Sequence, residues 1–187
     1  RQMCIRDRAK GVGYISEDRM TTGLALQANA DENLICGVAG QPPFSRRGIL
    51  RGRAIAENTA EMVRKFDIRG LTQDKPVRSL SGGNMQKIVL AREISRNPKL
   101  LIAAQPTRGL DIGAINFVRE HLLEQKRRGT AILLVSADLE ELMSLSDRMI
   151  ILYEGRCSGE VTDIPSATEA EIGLMMGGIT SSEREAN

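Results

Sequence analysis

Three short, largely apolar runs in the second half of the chain constrain its fold most strongly. Leu100–Ala104, Ala131–Ser136 and Arg148–Tyr153 are apolar on successive residues, which is typical of strands buried on both faces. Between them lie Ile112–Arg127, whose apolar residues recur at helical spacing, and the shorter helical segment Asp138–Leu145. Strands that alternate with amphipathic helices form βαβ units. We therefore predict an α/β fold in which all three runs belong to one parallel sheet.

The first half of the chain is predicted to be mainly helical. Gly11–Ser16 is a candidate strand, and helical patterns follow at Asp31–Val38, Arg53–Asp67 and Met85–Arg96. Residues 39–52 contain two prolines and three glycines, and this composition predicts a loop. A short helix is expected at Thr168–Met176.

Composition excludes several functions. The 187 residues carry 26 Lys and Arg against 24 Asp and Glu, a net charge of +2, with 3% aromatic residues and no Trp. This balance argues against a nucleic-acid binder, which needs a basic surface or stacking aromatic residues. One histidine and three cysteines without CxxC spacing predict no metal site, and the odd cysteine count favours a reducing compartment. The longest apolar runs are far shorter than the roughly 20 residues of a membrane-spanning helix.

Ser81, Gly82 and Gly83 stand directly before an amphipathic helical pattern. The first amides of a helix lack intrahelical partners and carry partial positive charge, and glycine lets a ligand approach the backbone closely. The triplet is therefore a candidate anion site. Taken alone, it is better explained as an N-cap serine followed by a flexible glycine pair.

The order of the motifs resembles the nucleotide-binding domains of ABC transporters, in which an LSGGQ signature precedes the Walker B strand, the D-loop and the H-loop. Here LSGGN begins at Leu80, PTRGLD ends at Asp111, and AILLVSADLEE follows. GVGYISEDR at residues 11–19 resembles the segment that carries the Q-loop. LSGGNMQK together with PTRGLD is similar to sugar and nucleoside importers, whose ATP-binding subunit holds two tandem halves. The string LIAAQPTRGLDIGAINFV is most similar to the C-terminal half of the nucleoside type.

The resemblance implies that ATP lies between two halves, held by the phosphate loop of one and the signature of the other. This chain would then act on an ATP held by the opposite half. The residues carried over are Ser81, Gly82, Gly83, Gln86 and Asp111 as contacts to that ATP, and Glu17 as the Q-loop equivalent.

Three positions depart from the hydrolytic pattern of the family. Ala104 stands at the Walker B aspartate, Gln105 at the presumed general base and Ala137 at the H-loop histidine. Any one change could be harmless, but together they are more simply interpreted as a degenerate site that no longer hydrolyses ATP. No GxxxxGK[ST] motif occurs. We expect an N-terminally truncated piece of the second half, with ATP and Mg²⁺ bound in the full assembly rather than by this chain alone.

The resemblance also predicts organisation and partners. We expect a cytoplasmic-side, peripheral membrane location, a partner nucleotide-binding half, a pair of transmembrane permease subunits, and an indirect partnership with an extracytoplasmic solute-binding protein. Two alternatives remain: a non-transport ABC ATPase of the DNA-repair or chromosome-maintenance kind, and an inert interaction fragment.

The chain is predicted to divide into five segments. These are a non-native or disordered leader at 1–8, the end of a core segment with the Q-loop equivalent at 9–27, a helical subdomain at 28–97, the parallel α/β part of the ATPase core at 98–177, and a disordered tail at 178–187.

The arginine cluster Arg46, Arg47, Arg51 and Arg53 has two interpretations. It is either a solvated loop face or a contact to a permease loop or to anionic headgroups.

Overall fold

The computed structural model describes Arg8, residues 10–71 and residues 75–179. The expected leader, apart from Arg8, and residues 180–187 of the expected tail lie outside the described residues. The chain divides into two compact units, one up to Val135 and the other from Ser136 onward.

A parallel sheet forms the centre of the first unit. Its strands are β1 (Val12–Ile15), β4 (Leu100–Ala104) and β5 (Ala131–Val135), in the order β1-β4-β5. Val12 pairs with Leu100, and Leu100 pairs with Ala131. The predicted α/β fold with parallel strands is confirmed.

Within residues 10–71 and 75–135, four helices accompany this sheet. They are α1 (Ala30–Ile35), α2 (Gly52–Lys65), α3 (Gly82–Ile94) and α4 (Ile112–Arg127). A π-helical turn at Arg19–Gly23 and a 3-10 turn at Val77–Ser79 connect them. The helix α3 is buried along most of its length, including Ile88 and Leu90, so it is the core helix of this unit. The helical patterns of the sequence are confirmed at all four places.

Residues 39–52 contain more order than composition predicted. The strands β2 (Ser45–Arg46) and β3 (Ile49–Leu50) pair antiparallel as a two-stranded sheet of their own. Composition missed them because two-residue strands are too short to show a periodic pattern.

A buried charged network fixes α3 against the first strand. Glu93 is fully buried and accepts hydrogen bonds from Arg92 Nε at 2.8 Å and from the Tyr14 amide at 3.3 Å. Arg8 Nη1 lies 3.2 Å from the Glu93 carboxylate. Arg8 is therefore one of the partners that this buried carboxylate requires, and the non-native or disordered leader expected at residues 1–8 stays a prediction.

The second unit contains α5 (Leu139–Leu145), β6 (Met149–Tyr153), β7 (Arg156–Val161), a 3-10 turn at Ile164–Ser166 and α6 (Glu169–Met176). Its core is formed by buried apolar side chains from β6, β7, the turn and α6: Met149, Ile151, Val161, Ile164 and Ile172. Thr168 caps α6 in a capping box with Glu171, which confirms the predicted C-terminal helix.

The placement of Arg148–Tyr153 in the parallel sheet is wrong, and so is the description of residues 98–177 as one parallel layer. β6 pairs antiparallel with β7. Only Glu154 and Gly155, both at positive φ, separate the two strands, and so short a connection permits only a hairpin.

None of the helices in the described residues has the length and hydropathy of a membrane-spanning helix.

Candidate functional site

The N-terminus of α3 is built by Ser81. Its backbone is extended, at φ −64° and ψ 156°, and its Oγ accepts hydrogen bonds from Asn84 N at 3.4 Å and from Asn84 Nδ2 at 2.9 Å. The Asn84 Oδ1 in turn accepts from the amide of Arg69 at 2.7 Å. Gly82 and Gly83 are the first two residues of α3. They precede Met85, whose amide donates to the carbonyl oxygen of Ser81. Their amides have no partner one turn earlier.

The helix α4 begins beside the N-terminus of α3. Asp111 caps α4, its Oδ1 accepting from Ala114 N at 2.8 Å. A Cβ atom added to Gly83 would lie 3.1 Å from the Ala114 Cβ and 3.5 Å from Asp111 Oδ2. Two helix N-termini therefore meet at Gly83, and their dipoles both favour an anion in this region.

Arg19 completes the site, and the sequence analysis missed it. Its Nη1 donates to the carbonyl oxygen of Arg108 at 2.9 Å, and its Nη2 lies 3.4 Å from the carbonyl oxygen of Gly109. The same Nη2 would lie 3.1 Å from a Cβ added to Gly82. The guanidinium therefore places a positive charge between the N-terminus of α3 and the loop that precedes α4.

The turn that carries Arg19 is held by Asp18. The Asp18 carboxylate accepts from Met20 N at 2.9 Å, from Thr21 N at 3.1 Å and from Thr21 Oγ1 at 2.6 Å. These bonds, led by that of the Thr21 hydroxyl, hold the pKa of Asp18 below its ordinary value. The only sequence signal for Arg19 was its place two residues after Glu17.

Packing within this chain is the first reason why positions 82 and 83 are glycine. Both positions face atoms of this chain, the Arg19 guanidinium at Gly82 and the Ala114 methyl at Gly83. The sequence alone indicated that the glycines let a ligand approach the backbone. The structure adds that they also allow α4 and Arg19 to approach α3.

Gln86 connects α3 to the loop after β4. It is 2% exposed, and its Nε2 donates to the carbonyl oxygen of Pro106 at 2.7 Å. This bond fixes the loop that begins at Gln105 and leads to Asp111. Gln86 therefore positions the region rather than reaching its surface.

Ala104 and Gln105 lie where β4 ends. Ala104 pairs with Val135 of β5, and Gln105 N donates to Val135 O at 2.7 Å. Gln105 has a positive φ of 46°, which is uncommon outside glycine and marks a sharp turn. A methyl group and a neutral amide do not supply the hard anionic oxygen ligands that Mg²⁺ prefers. These two positions therefore do not fit a magnesium site.

Of the remaining predicted residues in the first unit, Glu17 lies outside this cluster. Glu17 is exposed in the turn after β1, and no hydrogen bond joins it to Ser81, Gly82 or Gly83 among the described residues. Ala137 belongs to the second unit, next to Asp138, which caps α5 by accepting from Glu141 N at 2.9 Å. The cluster around the N-terminus of α3 thus consists of Ser81, Gly82, Gly83, Gln86, Asp111 and Arg19.

A parallel sheet with two helix N-termini meeting beside a strand-ending loop forms an α/β domain with a candidate anion site. The family profile described as ABC transporter matches residues 1–108, more than half of the chain. The chain belongs to the ABC transporter family.

Curated relatives and solved structures agree with this assignment. The guanosine import ATP-binding protein NupO of Bacillus subtilis is 44% identical over 173 residues, 92% of this chain and 34% of that protein. The ribose import ATP-binding protein RbsA of Bacillus subtilis is 37% identical over 169 residues, 90% of this chain and 34% of that protein. The chain spans about a third of the length of these relatives.

Solved structures share the fold at low identity. A dimeric ATP-binding cassette in a post-hydrolysis state with ADP and Pi has a TM-score of 0.66 and 21% identity, covering 85% of this chain and 67% of that chain. A nucleotide-free cassette also has a TM-score of 0.66, with 20% identity over 92% of this chain and 67% of that one. This similarity establishes the ABC ATPase fold.

Proposed function

We propose that this chain is part of the ATP-binding subunit of an ABC importer for nucleosides or simple sugars. Within that subunit it forms the C-terminal part of the second, degenerate nucleotide-binding domain. The names of the guanosine and ribose import relatives support the substrate class. The observation that carries the proposal is the Ser81-capped helix N-terminus, which meets a second helix N-terminus and the Arg19 guanidinium.

This region acts on an ATP held by the opposite half. The amides of Gly82 and Gly83 and the Ser81 hydroxyl donate to the γ-phosphate, where negative charge is redistributed during hydrolysis. Asp111 borders the same region while its Oδ1 holds the first turn of α4. Gln86 positions the intervening loop. Donors fixed in this way need no reorganisation when the reaction occurs.

The site that this half would build from its own residues does not hydrolyse ATP. Gln105 cannot accept a proton from water, Ala104 offers no metal ligand, and Ala137 has no ring nitrogen. Glu17 replaces the Q-loop glutamine with a charged group. Mg²⁺ and ATP are held by the other half, and this chain contributes donors only.

The proposal implies a defined set of partners. They are the other nucleotide-binding half, a pair of transmembrane permease subunits and, indirectly, an extracytoplasmic solute-binding protein, with the subunit on the cytoplasmic face of the membrane. Crosslinks from the cytoplasmic loops of the permease should reach the turn at Glu17 or the helical segment at residues 28–97. Crosslinks found only at residues 156–187 would contradict this arrangement.

The deciding experiment compares steady-state ATPase rates of the assembled transporter. Ser81→Arg should lower turnover by about 10²-fold or more, because it removes a donor and fills the space before the helix. Gln105→Glu should change turnover little, because Ala104 and Ala137 remain. Ser166→Arg, which adds the same charge at an exposed serine of the second unit, is the matched control.

Two outcomes would overturn the proposal. If Ser81→Arg is silent while Gln105→Glu raises turnover tenfold, the roles of the two sites are reversed. The purified 187-residue chain should not hydrolyse ATP, because it has neither GxxxxGK[ST] nor a carboxylate at position 104 or 105. Magnesium-dependent turnover by this chain alone would equally contradict the proposal.

A further inference from the structure

The hairpin formed by β2 and β3 exposes apolar side chains. Ile49 is 72% exposed and Leu50 is 57% exposed. They are adjacent in β3, so their side chains emerge on opposite faces of the hairpin. Two large exposed aliphatic residues at one place need an explanation more than scattered single ones do.

The hairpin is a defined structure. Arg47 and Gly48, its two central residues, have φ of 53° and 80°, and positive φ at both positions is what a type I′ turn requires. Arg51 N donates to Phe44 O at 2.8 Å beyond the paired residues. The exposed residues are therefore held at a fixed place.

The turn of the hairpin and Gly52, which follows β3 and Arg51, are open to solvent. A Cβ atom added to Gly48 or Gly52 would meet no heavy atom within 4 Å. Arg46, Arg47 and Arg51 are exposed.

The charge around the hairpin has one sign. Arg46, Arg47, Arg51 and Arg53 lie within a stretch that has no acidic residue between Glu32 and Glu57. Only Arg53 has an ion pair among the described residues of this segment, with Glu57 at 2.8 Å, and both side chains are so exposed that the pair neutralises little. The hairpin thus combines uncompensated arginines with two exposed aliphatic side chains.

We propose that this hairpin rests on the anionic surface of the membrane. The arginines lie at the level of the headgroups, and Ile49, which shares a face of the hairpin with its cross-strand partner Arg46, enters the boundary with the acyl chains. Arginine-rich surfaces with a few apolar side chains bind in this way, by charge attraction and by burial of apolar area together. This inference rests on the proposed membrane location, and it names the surface of this chain that makes the contact.

The test measures binding of the purified chain to lipid vesicles by cosedimentation. Vesicles of phosphatidylcholine with about a third phosphatidylserine should bind the chain at low salt, with binding weakened at high salt, and pure phosphatidylcholine vesicles should not. Arg46→Gln with Arg47→Gln should lower the partition by about fivefold for each arginine removed. Ile49→Ser should lower it as well.

Matched controls separate this surface from general charge and hydrophobicity. Arg127→Gln with Arg128→Gln removes the same charge elsewhere, and Leu152→Ser removes an aliphatic side chain that is 70% exposed in the second unit. Both should bind like the original chain. Arg46→Lys with Arg47→Lys keeps the charge and should retain binding, which guards against loss of fold as the cause.

The inference is overturned if the chain does not bind anionic vesicles, or if the hairpin variants bind like the controls. It is also overturned if the hairpin variants abolish assembly with the permease while vesicle binding is unchanged, because a protein then occupies the surface. The ATPase comparison of Ser81→Arg with Gln105→Glu does not depend on this result. Failure of the hairpin contact alone therefore leaves the proposed function intact.

Discussion

The side-chain amide of Gln86 donates a 2.7 Å hydrogen bond to the carbonyl oxygen of Pro106, with both groups buried. This bond joins the first turns of α3 to the loop that carries Gln105 and Asp111. It is one of the bonds that hold that loop, together with the bond from Gln105 N to Val135 O and the bond from Arg19 to the carbonyl oxygen of Arg108.

Replacing Gln86 by Leu should lower the free energy of unfolding by about 1–3 kcal/mol, because the Pro106 carbonyl oxygen stays buried without its donor. Urea unfolding followed by circular dichroism measures the loss. Gln41→Leu, at an exposed position, should change stability by less than about 0.5 kcal/mol. Equal urea midpoints for Gln86→Leu and the unaltered chain would contradict this role.

Gly83→Ala should destabilise the chain by about 1–3 kcal/mol, because the new methyl group would lie 3.1 Å from the Ala114 Cβ. Gly52→Ala adds a methyl group in open space at the start of α2, so it should be neutral or slightly stabilising. A double-mutant cycle with Ala114→Gly tests the cause. If the clash is real, the loss from Gly83→Ala should be smaller in the Ala114→Gly background.

Arg19→Ala should loosen the loop before α4, because the carbonyl groups of Arg108 and Gly109 lose their shared donor. Amide hydrogen exchange in a peptide covering residues 107–111 should become faster, and Arg19→Lys should give an intermediate rate because one ammonium cannot reproduce the planar fork. Arg127→Ala is the control. Unchanged exchange in Arg19→Ala would show that the loop is held by other contacts.

Asp67 should make the chain sensitive to acid. The hydrogen bond from Arg69 and then that from Lys87 hold the pKa of Asp67 below its ordinary value of 3.8. A lowered pKa in the folded state means that the stabilisation is present above pH 3.8 and is lost as the pH falls through the lowered value. The stability difference between the unaltered chain and Asp67→Asn should therefore shrink as the pH falls below 3.8. Urea midpoints at a series of pH values measure this, and a constant difference would contradict it.

The sequence predicted the exact bounds of one strand and one helix. Leu100–Ala104 and Ile112–Arg127 have the predicted bounds, because burial of an apolar face decides both the local structure and the pattern. Arg148–Tyr153 contains a continuous apolar run like those of the parallel strands, yet it pairs in an antiparallel hairpin. A continuous apolar run predicts that a strand is buried. Whether the strand pairs parallel or antiparallel depends on the connection that follows it.

The candidate site was predictable only where a motif marks it. Ser81 and its glycines stand out as a cap before a helix. Arg19 does not, because its role depends on Arg108 and Gly109, which are remote in sequence and reach it only in the folded chain. The approach of Ala114 to Gly83 has the same origin. Contacts of this kind are set by packing, and no local pattern records them.

The pairing of β1 with β4 has a consequence for synthesis of the chain. Val12 finds its partner only when Leu100 has been made, and the roughly 90 intervening residues take a ribosome about 5–20 s at ordinary elongation rates. Helices form in microseconds, so Ala30–Ile35 and Gly52–Lys65 can form before Val12–Ile15 pairs with Leu100–Ala104. We expect closure of the sheet, rather than formation of the helices, to limit the rate at which the first unit matures.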